Sequence, residues 1–141
     1  MSDRPKLRDW TEAEAPTLDD IEAIGREALA TLPESFRKLA GEVQVRVADF
    51  PEEEVLDELG IDSEFGLLGL FQGVGLAHAA ATPYTGQMPN MIWLYRRPIL
   101  DYWAEHEETL GHIVTHVLIH EIGHHFGLSD DDMEAIEAAA G

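Results

Sequence analysis

The chain has 141 residues, of which 45% are hydrophobic and 26% are charged, a composition typical of one globular domain. Its formal net charge of −19 disfavours nucleic acid and anionic membrane as partners, because both surfaces are negatively charged. The absence of cysteine excludes disulfides, thiolate zinc sites and cysteine nucleophiles. The chain contains no apolar run of about 18 residues, so it predicts no transmembrane helix. The polar N-terminus does not resemble a secretory signal, so we expect a cytoplasmic location.

The first predicted boundary lies between a polar N-terminal arm and the folded domain. Residues 1–16 are expected to form a flexible arm, and residues 17–141 are expected to form a single domain. Thr17 is a typical N-cap, and the apolar residues that follow it recur with helical spacing over residues 18–31. A helix is therefore predicted there.

Two short helices and a strand are predicted next. Pro33 is suited to start a helix that Gly41 ends. Valines alternate with other residues over positions 43–48, a pattern that indicates a half-buried strand. Residues 51–59 then predict a short acidic helix that ends at Gly60.

The central part of the chain predicts two further strands. The apolar and glycine-rich run at 67–76 indicates the first, and residues 91–96 indicate the second. Residues 79–90, which contain two prolines, are expected to form a loop between them. A helical stretch is predicted to start at Pro98 and to break near His106.

The main helix is predicted over residues 107–126, and a last helix over residues 130–139. Apolar residues occur nearly all the way round the main helix, which is typical of a helix buried in the centre of a domain. The element order predicts an α+β fold, with a small twisted sheet of three or four strands and helices packed on one face. The main helix would lie under this sheet.

The strongest functional signal is an HExxHxxGxxD pattern formed by His120, Glu121, His124, Gly127 and Asp130. Histidines four residues apart lie about 40° apart around a helix, so both rings can reach one metal ion. Glu121 lies at the rim of the same face, where it can reach a water molecule on the metal without being a ligand. Gly127 can end the helix in a left-handed conformation, which would allow Asp130 to return as a third ligand.

Other interpretations of these residues remain open. The histidines could belong to a buried helix that binds no metal. Residues 129–132 also have the pattern of a helix N-cap followed by acids that the helix dipole favours, and this role of Asp130 is compatible with metal binding. His116 is interpreted as a buried histidine with satisfied hydrogen bonds, or as a residue that orients a metal ligand. Tyr95 and His78 are candidates to line the cleft and to stabilise an oxyanion.

The chain resembles the small bacterial zincin-like metallopeptidases, which are minimal relatives of the metzincins. The resemblance rests on residues 116–132, above all on the HEIGHHFGLSDDDM stretch at 120–133, and more weakly on residues 68–74 and 92–99. It implies a compact zincin fold, metal ligation by His120, His124 and Asp130, and Glu121 as the general base. Larger metzincins have a histidine where this chain has Asp130, and a methionine turn further downstream. Met133 is either the packing floor of the site or an ordinary core residue.

These observations predict a Zn²⁺-dependent peptidase with one ion per chain, although another divalent metal would also suit the ligands. Glu121 would take a proton from water and deliver it to the leaving amine. The expected partner is a peptide or a flexible polypeptide segment, which would add as a strand to a sheet edge near residues 73–77. The alternative is a metal-binding regulatory or interaction module without hydrolytic activity. The chain is expected to be a monomer or a weak homo-oligomer.

Overall fold

A computed structural model describes residues 10–73 and 90–140, and it confirms the predicted α+β fold. In the first half of the chain, the elements are α1 (Leu18–Thr31), α2 (Glu34–Ala40), β1 (Val43–Ala48), α3 (Glu53–Leu59), a 3₁₀ turn (Glu64–Gly66) and β2 (Gly69–Gln72). In the second half they are β3 (Asn90–Tyr95), α4 (Arg96–Glu105), α5 (Leu110–His125) and α6 (Asp130–Ala140).

The described strands form one mixed sheet in the order β1-β3-β2. β1 pairs with β3 in parallel, with Val43 opposite Asn90, and β2 pairs with β3 in the antiparallel sense, with Gly69 opposite Leu94. β1 and β2 are therefore the two edges of this sheet. Because β2 is separated from β1 by a full strand, the two edges face different surroundings.

Helices α1 and α5 pack on one face of the sheet, as predicted. A Cβ on Gly25 of α1 would lie 2.7 Å from the Leu94 side chain, and a Cβ on Gly69 would lie 2.5 Å from Val117 of α5. Only glycine permits such close approach of the backbone at these two positions. The core lies between the helices and this face of the sheet, with Ile92, Leu94, Val114 and Leu118 fully buried.

Local capping residues specify three of the helix boundaries. Thr17 caps α1 by accepting a hydrogen bond from the Asp20 N–H, while the Asp20 carboxylate accepts one from the Thr17 N–H. Gly60 adopts the left-handed conformation after α3. α5 begins at Leu110 rather than at 107, because Thr109 accepts a hydrogen bond from the His112 N–H and so acts as the N-cap.

Other boundaries differ from the prediction. β2 spans Gly69–Gln72, so it starts two residues later than predicted, and residues 74–76 of the predicted strand lie outside the described residues. A 3₁₀ turn precedes the strand, and in this turn Ser63 accepts a hydrogen bond from the Phe65 N–H. α4 starts at Arg96, two residues before Pro98, since proline is tolerated in a first helical turn. Of the loop predicted at 79–90, residues 79–89 lie outside the described residues, as do residues 1–9 of the arm, whereas Asn90 is the first residue of β3. No helix in the described ranges has the length and apolar character needed to cross a membrane.

Candidate metal centre

One face of α5 carries His116, His120 and His124, which are spaced four residues apart. The rings of His116 and His120 stack with their centroids 4.0 Å apart, and the ring of His124 meets that of His120 edge-on at 5.8 Å. The opposite face of the helix is buried in the core. The helix therefore presents a row of three imidazoles along its accessible side.

The chain reverses direction after α5 through a glycine turn, as the sequence predicts. Gly127 has a φ of +79°, its N–H donates to the His124 carbonyl, and the Leu128 N–H donates to the Gly123 carbonyl. These two hydrogen bonds form a Schellman motif. Ser129 then accepts a hydrogen bond from the Asp132 N–H at 3.1 Å, so α6 starts immediately after the turn and packs back along α5.

This packing of α6 on α5 brings a carboxylate to the histidine row. Glu137 Oε2 lies 2.9 Å from His116 Nδ1, and Glu137 Oε1 lies 3.1 Å from His120 Nε2. Met133, one helical turn before Glu137, is fully buried and fixes this face of α6. A Cβ on Gly123 would lie 2.6 Å from the Met133 sulfur, so the glycine lets the two helices come this close.

The donor set of this cluster suits a metal ion. Within the described ranges, the only group of three possible ligand atoms within 4.8 Å of one another belongs to His116, His120 and Glu137. Two imidazoles and a carboxylate are ligands that Zn²⁺ accepts in protein sites. Two ligands bound at about 2.1 Å in a tetrahedral site lie roughly 3.4 Å apart, whereas Glu137 lies at hydrogen-bond distance, 2.9 and 3.1 Å, from the two histidines. The residues therefore form a candidate His-His-Glu metal site.

The structure does not bring the three predicted ligands together in one cluster. His120 belongs to the assembled cluster, and His124 lies on the same helix face but outside the cluster. Asp130 is exposed in the first turn of α6, which is the helix-start role that the sequence also allowed. The structure thus brings His116 and Glu137 to His120, and it does not bring Asp130 there.

The cluster borders an open cleft of about 370 Å³. The wall on the α5 side includes His116, His120, Glu121 and His124. The opposite wall is formed by the residues just before β2, together with Tyr102 of α4. Three separate elements therefore enclose a space directly beside the histidine row.

The two glutamates of the site are in different electrostatic environments. Burial raises the pKa of Glu121, and the charge of His124 opposes that shift. Burial also raises the pKa of Glu137, but the hydrogen bonds and charges of His116 and His120 outweigh it and leave this pKa below its ordinary value. The histidines thus outweigh burial and lower the pKa of Glu137, whereas burial outweighs the charge of His124 and raises the pKa of Glu121.

Several interpretations of single residues can now be judged. The side chain of His116 is 51% exposed, so its interpretation as a buried histidine is wrong; it pairs with Glu137 instead. Met133 packs beneath the candidate site, against Gly123 of α5. Tyr95 is stacked on Trp93 and lines a different cavity, on the far side of β3. His78 lies outside the described residues.

The charge of Glu121 nevertheless affects the pKa of Tyr95. Burial raises its pKa to about 12, and the charges of Glu52 and Glu121 contribute to the shift. Tyr102, which the sequence did not single out, lines the cleft and stacks on His106 with ring centroids 3.7 Å apart.

Glu137 is the site residue that sequence reasoning missed. A signal for it exists in the pattern of α6, where Met133, Ile136 and Ala140 are buried or half-buried at helical spacing. Glu137 lies within that apolar stripe. An acid on the apolar face of an amphipathic helix indicates a partner on the helix that it packs against.

Comparison with known families adds one finding. A family model described as a zincin-like metallopeptidase matches residues 40–140, which is more than half of the chain. The matched region includes the whole sheet, α5 and α6. Among curated proteins, none matches the chain.

Proposed function

The chain belongs to the zincin-like metallopeptidase family, and from that premise we propose that it is a zinc-dependent peptidase that uses Glu121 as a general base. The observation that carries the proposal is the row of imidazoles beside Glu121, in the wall of an open cleft. A purely structural zinc site usually closes with four protein ligands and needs neither a cleft nor an additional glutamate.

We assign the ion to His120 and His124, with Asp130 as the third ligand. The angular positions on α5 favour this pair over His116 and His120. Glu121 lies about 100° from His120 and about 60° from His124 around the helix, but about 140° from His116. A base must reach the same water that the ion binds, so the pair nearer to Glu121 is the better catalytic pair.

The bound ion and Glu121 would have different roles in hydrolysis. Zinc, when bound, supplies Lewis acidity that lowers the pKa of water towards about 7 and polarises a carbonyl group. The Glu121 carboxylate accepts a proton from the attacking water and later donates it to the leaving amine. Burial raises the pKa of Glu121, which makes its carboxylate a stronger proton acceptor for this role.

The substrate is an extended peptide or a flexible segment of a polypeptide. β2 is the edge strand nearest the cleft, and residues 66–68 immediately before it line the cleft wall. A peptide that pairs with this edge would pass directly over the imidazole row. The predicted contact at 73–77 would extend the same edge, although residues 74–77 lie outside the described part of the chain.

A second candidate function is a metal-binding module without hydrolytic activity. The observation that favours it is the assembled cluster of His116, His120 and Glu137, which gathers three possible zinc donors without using Glu121. In that case Glu137 would be the ligand that determines metal content, and Asp130 would only start α6.

Metal content separates the two ligand sets. We would measure zinc per chain by elemental analysis for the wild type and for His120→Ala, Asp130→Ala and Glu137→Ala. Asp131→Ala and Glu134→Ala are matched controls, because both remove an exposed acid from α6. The proposal expects near-stoichiometric zinc in the wild type, loss of zinc in His120→Ala and weaker binding in Asp130→Ala. Loss in Glu137→Ala with full retention in Asp130→Ala would replace the proposed set with the assembled one.

Turnover tests the general base. Glu121→Gln should retain zinc and cleave a peptide library about 10²–10⁴-fold more slowly than the wild type. Equal cleavage by both proteins would remove Glu121 from the mechanism. No cleavage by a zinc-loaded wild type across a broad peptide library would favour the non-catalytic module.

A further inference from the structure

A second groove among the described residues is larger than the metal cleft. A groove of about 1050 Å³ lies along β1, at the opposite edge of the sheet from the cleft. Helices α1 and α2 form one wall, and β1 forms the other. Its size is comparable with that of a site for a short peptide segment.

The groove follows the edge of β1 rather than one face of the sheet. Val45 is buried towards α1, where a Cβ on Gly25 would lie 3.2 Å from it. Arg46, the next residue, is exposed on the opposite face. Because both residues line the groove, the space must run along the strand, beside the outward-facing main-chain groups. In the part of the chain that the structure describes, β1 pairs only with β3.

The charge of the groove is opposite to that of the whole protein. The chain has a net charge of −19, yet four of the six Lys and Arg residues within 10–73 and 90–140 line this one groove: Arg26, Arg37, Lys38 and Arg46. Two acids, Glu22 and Glu34, line it as well and pair with Arg26 and Lys38.

The other two arginines contact no carboxylate within the described ranges. Arg37 Nε donates to the Leu32 carbonyl at 2.8 Å, and Arg46 Nη2 donates to Gln44 Oε1 at 3.4 Å. Each guanidinium has five N–H donors in a planar fork, so each retains donors for a carboxylate. The groove therefore combines a strand edge that no other described strand pairs with, an apolar floor that includes Leu29 and Val43, and two arginines available for acids.

We infer that the groove along β1 binds an extended acidic segment of a partner polypeptide, which adds to the sheet as a strand. Main-chain groups of β1 pair with the segment, and alternate side chains of the segment point to opposite faces of the sheet. The set on the helix side contacts the apolar floor and Arg37, and the set on the opposite face reaches Arg46. This surface is separate from the cleft, so the inference does not depend on the proposed peptidase activity.

Peptide binding to the purified full-length protein tests the inference. The probe is a fluorescein-labelled peptide of alternating glutamate and valine, about seven residues long, so that it can pair with all of β1. Fluorescence anisotropy should show saturable binding that weakens as salt is raised. Arg46→Glu should bind the probe at least about tenfold more weakly. Arg97→Glu is the matched control, because the charge change is the same but Arg97 lies over Phe50, outside the groove.

Two further peptide probes test whether the segment binds by main-chain pairing and whether it must be acidic. A peptide with N-methyl groups at the alternate residues whose N–H groups face β1 should lose binding, because those residues can no longer donate main-chain hydrogen bonds to the strand. A lysine-for-glutamate peptide should not bind. Equal affinity of the Arg46→Glu and Arg97→Glu proteins, or undiminished binding of the methylated peptide, would overturn the inference. Failure to bind any acidic peptide would leave Arg46 as a charge that protects an edge from pairing, and would also overturn it. A concentration-dependent dimer in sedimentation that Arg46→Glu abolishes would identify a second copy as the occupant instead.

Discussion

The two edges of the sheet are built in contrasting ways. At the β2 edge, the backbone presses against helices: a Cβ on Gly69 would lie 2.5 Å from Val117 and 2.9 Å from the Trp93 carbonyl. At the β1 edge, a groove of about 1050 Å³ separates the strand from α1 and α2. Close packing at the β2 edge fixes the positions of the neighbouring histidines and acids. At the β1 edge, the groove leaves space, and cations line it. Substitutions should therefore affect stability at the first edge far more than at the second.

The largest effect is expected from Met133, which is fully buried between α6 and α5. Met133→Ala should lower the free energy of unfolding by about 2–5 kcal/mol, because it leaves a cavity under the histidine row. Met133→Leu, which conserves volume, should cost less than about 1.5 kcal/mol. Urea unfolding of both variants measures the difference. Equal losses would mean that the thioether itself, rather than the filled volume, supports the site.

Gly69 tests how tightly β2 packs on α5. Gly69→Ala should cost about 1–3 kcal/mol, since one of the atoms that its Cβ would meet is a main-chain oxygen that cannot move aside alone. The control is Gly111→Ala in the first turns of α5, where a Cβ would meet nothing within 4 Å. That substitution should be neutral or stabilising by up to about 1 kcal/mol, because alanine favours helix. A similar loss in both variants would contradict the close packing inferred for the cleft edge.

Tyr95 lies on β3, between the two edges, and the pKa of its phenol depends on burial and on the charges nearby. The pKa of its phenol is raised from 10.0 to about 12, so the folded chain holds this proton more strongly than the unfolded chain. The stability that results is complete below pH 10 and is lost as the pH rises towards 12. The difference in tyrosinate absorbance between the wild type and Tyr95→Phe should therefore appear mostly above pH 10. Titration of this difference below pH 10 would show that Tyr95 is more accessible than the structure indicates.

The smallest effect is expected at the groove edge. Arg26 is 68% exposed on its side chain and pairs with Glu22 one turn earlier on α1. Arg26→Ala should change the free energy of unfolding by less than about 0.5 kcal/mol, because exposed ion pairs are strongly screened by water. Thermal and urea unfolding would measure it. A loss of more than about 1 kcal/mol would mean that the groove is a structural feature rather than an open binding surface.

Much of this architecture follows from local sequence signals. Thr17 and Asp20 specify the start of α1, and Gly60 and Gly127 specify the ends of α3 and α5, because a cap or a positive φ depends on a few neighbouring residues. The apolar residues all round α5 predicted its central position, and the spacing of four predicted that its histidines share one face. The start of α5 was placed three residues too early because the cap at Thr109 was not recognised.

The sequence by itself thus determined the α+β class, the central helix and the histidine row with Glu121 beside it. Only the tertiary structure decided which carboxylate meets that row. Glu137 is 17 residues beyond His120, and it reaches His120 Nε2 because the turn at Gly127 and the packing of Met133 on Gly123 fix the register of α6. Likewise, the cations of the β1 groove are scattered in sequence and are gathered only when α1 and α2 pack beside the strand. Such contacts depend on packing between elements, which local periodicity does not specify.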